Sequence, residues 1–352
     1  MEAVPGQRAI GVIMTGDNGR QVAVTLDEVA RLAGVARSTA SRALNDGVAS
    51  PAAIQAVNEA VRKLGFVPNQ AARTLARSRT DSVALVIPED PTRLFSDPVL
   101  ATVITRLSVD FWREGLQPLL VLMDPKDLIA KLGSFLNAGN VDGMVVTSFH
   151  SNPEVEELIS ASRLPTVFFG RPPMPGILPY VDIDNVEGGY KATKHLLDAG
   201  RRNVACAGGP EGVPSVEDRK QGFLKACAEA GVRPGPYMYG RFDTDFGMSA
   251  VSAILDAEPG IDGIFAQSDA IAAGVLSGLS AARRSVPDDV AVVGFDNTAT
   301  ATTVFPRLTT VAQPVAEMAG QAASMLVEYL SSQEWGQCPR ILPTELIVRD
   351  SA

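Results

Sequence analysis

Arg37, Ser38 and Arg42 stand close together in the stretch RSTASRAL. On one side of a short helix they could read the edges of base pairs. A guanidinium forms a planar fork that fits the two acceptors of guanine, and a serine hydroxyl is a weaker, less selective reader. Thr39, Ser41 and Asn45 are placed better for phosphate oxygens, with Thr25 before them and Asn69 after. Such contacts position a protein on a duplex without reading its sequence. The competing reading is a solvated polar face, since glycine turns between short helices are common in all-α domains.

Three helices must hold these groups. Thr25-Leu-Asp-Glu28 has the form of a capping box, in which the threonine and the glutamate each serve the other's amide. Leu26, Val29, Ala30 and Leu32 follow as an apolar face, and Gly34 supplies a tight turn above Val35. A second helix over 37–44 turns Ala40, Ala43 and Leu44 inward and ends at Asn45-Asp-Gly47. Ser50 and Pro51 start a third, with Ile54, Val57, Val61 and Leu64 as its stripe and Gly65 as its stop. Together they predict a helix-turn-helix unit over 23–68, after an N-terminal extension over 1–22 that is expected to be flexible. From Thr25 to Thr80 there are eight cations and four anions, in a chain of 352 residues whose net charge is −9. A small basic head on an acidic chain suggests a nucleic-acid contact confined to that head.

The remainder is long enough for two further compact units, and 46% hydrophobic with 20% charged residues is a globular balance. Cys206, Cys227 and Cys338 are odd in number and form no CxxC pair, so neither a disulfide frame nor a zinc site is expected, and a reducing, cytosolic compartment is. His150 and His195 have no metal-ligand spacing, and no run suits a leader peptide or a membrane span. Apolar runs at 83–87, 119–123, 144–147, 166–169, 204–207, 263–266 and 290–294 alternate with helical patterns at 99–114, 188–199, 218–230 and 269–282. That alternation predicts two α/β lobes, each a doubly wound parallel sheet, with a cleft at the carboxyl ends of the strands.

The head resembles the lactose-repressor/galactose-repressor (LacI/GalR) family of bacterial transcription regulators. The matching signatures are T-x-x-[DE]-V-A-x-x-A-G-V, then S-x-x-T-x-S-R-x-L-N, then G-[FY]-x-P-N-x-x-A-R-x-L, and every position but the first serine of the second is present. One departure is Ala36, where the family usually has a serine cap; the loss of that acceptor costs about 1 kcal/mol. The resemblance implies a hinge helix within 69–80 that folds on DNA, inserts Leu75 into the minor groove, and stays slim there at Ala72. An apolar wedge of this kind unstacks a base step and bends the duplex.

The likeness extends through the body, 81–352, by way of Val141-Asp-Gly143, Val181-Asp-Ile-Asp184-Asn185, Gly208-Gly-Pro210, Arg219-Lys-Gln-Gly-Phe223, Gly294-Phe-Asp296-Asn297 and Leu308-Thr-Thr-Val311. It implies a periplasmic-binding-protein-like fold: one lobe of about 81–184 and 313–340, the other of about 185–312 and 341–352, with crossings near Asp184, 311–313 and 339–342. It also implies cleft residues. Arg219 would grip hydroxyls or a carboxylate, Asp296 would accept from hydroxyls, and Ser268 stands where sugar-binding members often carry asparagine. Phe242 would lie against the ligand, Ser215 in the loop before Arg219, and Phe95 and Ser96 on a loop that closes over it. Arg171 replaces an aspartate common in relatives, which removes a hydroxyl acceptor. Each has a structural alternative: an Arg219–Asp296 ion pair, Phe95 and Phe242 as core, Ser268 as a helix cap.

No phosphate loop, Gly-x-Ser-x-Gly turn or Ser-His-Asp order is present, so neither catalysis nor a cofactor is expected. The family reading implies a sequence-specific regulator, in most relatives a repressor, that binds palindromic DNA as a homodimer and takes a sugar-like effector. No leucine heptad tail follows Leu346-Ile-Val-Arg349 to make a tetramer. A solute-binding sensor or transport-type protein without a DNA role is the alternative.

Overall fold

The computed structural model describes residues 24–44, 48–67, 79–88, 97–122, 128–147, 153–173 and 178–352. The chain divides after Ser78 into two units. The expected extension, and Asn45, Asn69, Ala72, Leu75, Phe95, Ser96 and His150, lie outside the described residues.

In the first unit, α1 (Leu26–Ala33) begins at the capping box. Thr25 N donates to Glu28 Oε2 at 2.7 Å, and Thr25 Oγ1 accepts from Glu28 N at 3.4 Å. Gly34 closes the helix at φ 68°, a left-handed conformation that a Cβ would strain. α2 (Arg37–Leu44) starts on the Ala36 carbonyl, which accepts from Thr39 N and Ala40 N, both at 2.9 Å. α3 (Pro51–Leu64) is capped by Ser50 Oγ, which accepts from Ala53 N at 3.3 Å, and closed by Gly65. Val29, Ala30, Ala40, Val57 and Ala60 form the core between the three helices. Leu32 corrects the expected stripe: it is 51% exposed, because the inward face runs through 26, 29, 30 and 33 at helical spacing and 32 lies off it.

The second unit carries two sheets. Its strands are β1 (Ser82–Ile87), β2 (Gln117–Leu122), β3 (Gly143–Thr147), β4 (Thr166–Phe169), β5 (Tyr180–Ile183), β6 (Val204–Ala207), β7 (Tyr237–Met238), β8 (Gly263–Ala266), β9 (Ala291–Asp296), β10 (Thr309–Ala312), β11 (Arg340–Leu342) and β12 (Glu345–Ile347). The first sheet has the order β11-β5-β4-β3-β1-β2, parallel throughout. The second has the order β12-β10-β9-β8-β6-β7, parallel except where β12 meets β10. Helices α4 (Pro98–Arg113), α5 (Leu128–Asn137), α6 (Pro153–Ala161) and α12 (Val315–Ser332) belong with the first sheet. α7 (Asn185–Asp198), α8 (Pro214–Glu229), α9 (Thr244–Ala257), α10 (Asp269–Ala281) and the short α11 (Thr300–Thr303) belong with the second. Interior strand β1, SVALVI, is buried along its whole length, as a parallel strand covered on both faces must be.

The chain passes between sheets after Ile183, after Ala312 and after Leu342. The last crossing falls two residues later than the expected boundary at 340, because Ile341 and Leu342 still pair with Asp182 and Ile183 of β5. Two helices also start earlier than expected. Asp184 caps α7 by accepting from Glu187 N at 2.8 Å, and Pro214 occupies the first turn of α8, where its missing N–H costs nothing. α7 and α8 meet at two glycines: a Cβ on Gly189 would lie 2.2 Å from Arg219 O, and one on Gly222 2.1 Å from Val186 O. This close packing fixes the backbone of Arg219. The start of the unit is held by Asp142, whose carboxylate accepts from Thr80 N (2.7 Å), Thr80 Oγ1 (3.0 Å) and Asp81 N (2.9 Å). Among the described residues no helix is long and apolar enough to cross a membrane.

Candidate functional site

In the head, Arg37, Ser38 and Arg42 are exposed on α2, and Thr39 and Ser41 are half-buried beside them. Ala40 is fully buried, so the core pins the helix by the side opposite these groups. Arg37 Nε lies 3.4 Å from Asp27 Oδ1, an exposed pair that a phosphate or a base edge can displace at little cost. Thr25 is exposed, but its hydroxyl is occupied by the cap and donates to Glu28 Oε2 at 3.0 Å.

The body has a cavity at the carboxyl ends of both sheets. Of the expected residues, Ser215, Arg219, Phe242, Ser268 and Asp296 line it. Arg171 does not: its neighbour Gly170 does, and the Arg171 side chain turns to Asp218, with Nη2 2.6 Å from Oδ2. Asp97, Thr147, Phe169, Asp182, Thr298 and Gln313 also line the cavity and were not among the expected residues. Most sit where a helix begins or a strand ends, where side chains point past the sheet. Asp97 caps α4, accepting from Val99 N at 2.9 Å. Asp182 and Thr147 lie on β5 and β3.

Arg219 is 5% exposed. Its Nε donates to Asn185 Oδ1 at 2.9 Å and its Nη1 to the Gln267 carbonyl at 2.7 Å, while the guanidinium carbon lies 3.6 Å above the Phe295 ring. Such a fixed guanidinium presents a preset fork. Asp296 accepts from Gln313 Nε2 at 2.6 Å and has φ 104°, a left-handed conformation costly for aspartate and tolerated where surroundings enforce it. The Arg219 Nη1 and Asp296 Oδ1 atoms are 4.0 Å apart, too far for a hydrogen bond. One oxygen at about 2.8 Å from each would bridge both. Burial drives the Asp296 carboxyl well above its usual pKa, against the pull of Arg219 and with the push of Asp269 and Asp97. Burial likewise raises Asp182, although Arg171 N (2.9 Å), Ile183 N (2.8 Å) and Asn185 Nδ2 (3.0 Å) donate to it. The same desolvation lowers Arg219.

Two structural alternatives hold alongside the cleft placement. Ser268 Oγ accepts from Ile271 N at 3.1 Å, so it caps α10 while lining the cavity. Phe242 lines the cavity with one face and packs on the second lobe's core with another. A Cβ on Gly209 would lie 2.3 Å from its Cζ, so that glycine is what lets the ring sit there.

The chain thus combines a three-helix head with a two-lobed body that holds a polar cavity, and comparison with known proteins finds the same combination. The model of bacterial regulatory proteins, lacI family, matches residues 25–69, and that of the periplasmic binding protein-like domain matches residues 193–352. The HTH-type transcriptional regulator CelR of Thermobifida fusca is 37% identical over 334 residues, 93% of this chain and 98% of its own. A solved transcriptional regulator CelR–cellobiose complex matches with a TM-score of 0.74 at 36% identity, over 94% of this chain and 100% of that one. The lac repressor dimer bound to operator and the anti-inducer ONPF shares the fold, with a TM-score of 0.82 at 20% identity over 94% of this chain and 99% of that one. With its helix-turn-helix head, its two parallel-dominated lobes and a relative this similar along nearly its whole length, the chain belongs to the LacI family of bacterial regulatory proteins.

Proposed function

We propose that this regulator binds a palindromic DNA site as a homodimer in the cytoplasm, and that a neutral, hydroxyl-rich solute in the cleft sets its affinity for that site. The observation that carries the reading is the polar wall of the cavity: Asp97, Asp182 and Asp296 against the single guanidinium of Arg219. Beyond Arg219 this wall gives an anionic solute little to pair with, whereas hydroxyls can donate to the carboxyl oxygens and accept from the arginine. CelR has been solved with cellobiose, which makes cellobiose the first probe.

In the head, Arg37, Ser38 and Arg42 would read bases, Thr25, Thr39, Ser41, Asn45 and Asn69 would hold phosphates, and Ala72 and Leu75 would enter the minor groove at the centre of the palindrome. Pairing of two copies has a suitable surface on the first lobe. Val109 and Trp112 of α4 and Leu120 and Leu122 of the edge strand β2 are exposed apolar residues. The chemistry is binding, not turnover. The solute acts only through its difference in affinity for the two lobe arrangements, one of which suits the paired hinges. Titration calorimetry on the full chain tests the cleft. Cellobiose should bind and glucose 6-phosphate should not; tighter binding of the phosphosugar would sink the neutral-solute reading.

A further inference from the structure

Thr147 is the last residue of β3, near the middle of the first sheet, paired with Phe169 of β4. It is 6% exposed, lines the cavity, and its Oγ1 has no hydrogen-bond partner among the described residues. The other buried threonines among the described residues of the body are all served. Thr193 donates to Gly189 O within its own helix, Thr309 to Ala352 O, and Thr310 to Asp269 Oδ1, while Thr344 accepts from Lys191 Nζ. A strand residue cannot use the first of these routes, because no carbonyl four residues back lies beneath it. The other two buried unpartnered side-chain atoms among the described residues, on His195 and Arg201, do not line the cavity.

We propose that Thr147 is a ligand contact that determines specificity: its hydroxyl takes a hydroxyl of the solute from the first lobe, while Arg219 and Asp296 take another from the second. The assignment rests on the neutral-solute reading of the cleft. A buried hydroxyl without a partner is costly in the empty protein, and a solute that pairs it recovers that cost only when bound. Threonine both donates and accepts, so it matches a hydroxyl and has no preference for an anion. Two strands away, Asp182 Oδ2 accepts only from Arg171 N among the described contacts, which leaves a second acceptor on the same wall. The first lobe thus binds as well as covers, and a solute that reaches both walls favours the closed arrangement.

The test compares the full-length protein with Thr147→Val, which keeps the shape and removes the hydroxyl, and Thr147→Ser, which keeps the hydroxyl. Thermal melting is measured without ligand, and cellobiose binding by calorimetry. Val should weaken cellobiose binding about tenfold and Ser less than threefold, with the unliganded melting temperature of the Val variant equal to or above that of the unaltered protein. Equal affinity in the Val variant would overturn the proposal. So would a lower unliganded melting temperature, which would mean the hydroxyl has a structural partner. If the unaltered protein binds neither cellobiose nor any other neutral sugar, the cleft reading falls. The unliganded melting temperature then judges Thr147 alone: unchanged or raised supports a hydroxyl kept for a ligand, and lowered overturns it.

Discussion

Arg171 Nη2 lies 2.6 Å from Asp218 Oδ2, and the pair joins the two lobes beside the cavity. Arg171 follows β4 of the first sheet, and Asp218 lies on α8 of the second lobe, next to Arg219. Their side chains are 42% and 18% exposed, so the pair is partly wet and its coupling is modest, about 0.5–1 kcal/mol. Desolvation opposes the charge on Arg171, but Asp218 outweighs it and holds the guanidinium above its usual pKa.

Removing that pair should loosen closure without touching the ligand. Arg171→Met and Asp218→Asn should each weaken cellobiose binding about two- to fivefold, and the double variant should do no worse than either. Small-angle scattering of the unliganded protein should show a larger radius of gyration for both. Additive losses in the double variant would mean the two residues act separately.

Asp296 gives a pH dependence with a definite sign. Burial puts its folded-state pKa above the unfolded value of about 3.9. Its contribution to stability is therefore greatest below that unfolded value and is lost as pH rises through the folded one. Asp296→Asn keeps an acceptor for Gln313 and removes the charge. It should melt higher than the unaltered protein at pH 7 and no higher at pH 4, and it should bind cellobiose at least tenfold more weakly. Melting curves across pH check the sign.

Gly189 tests how the α7–α8 contact serves the cleft. An added Cβ would meet the Arg219 backbone at 2.2 Å, with no flexible side chain to yield. Gly189→Ala should lower stability by more than about 2 kcal/mol and weaken cellobiose binding more than its effect on DNA affinity. Denaturant melts and calorimetry separate the two effects; a neutral melt would mean that the helices part easily.

The head separates reading from holding. Arg42→Ala should cost about 1–3 kcal/mol and relax preference at one base pair, whereas Thr39→Val should weaken all sequences alike. Leu75→Ala should reduce specific binding far more than non-specific binding. Competition titrations at fixed salt distinguish the patterns, and equal loss on specific and random DNA for Leu75→Ala would remove the hinge assignment.

What could be read from the sequence was what is local. The capping box at Thr25–Glu28, the turn at Gly34 and the strand runs at 166–169, 204–207 and 263–266 depend on near neighbours, and they stand where expected. β5 (YVDI) is broken by Asp182 and β10 (TTVA) opens on two threonines, so neither reads as an apolar run, and β7 is only two residues long. In the cleft, Arg219 and Asp296 could be placed because they sit within motifs of the second lobe, and Ser215, Phe242 and Ser268 by their positions in the family resemblance. Thr147, Asp182 and Asp97 reach the same cavity from separate strands and a helix cap of the first lobe, and no spacing in the chain links them. Arg171 was expected in the cleft from its position after Gly170, and only the fold reveals Asp218, 47 residues away, as its partner.

The most direct test of the whole account is selection of genomic fragments by the purified full-length protein at about 0.15 M salt, with and without cellobiose. A palindrome should be enriched, and its recovery should change when cellobiose is present. Enrichment of no sequence under either condition would contradict this expectation, and would leave the cleft as the site of a solute-binding protein with no DNA to control.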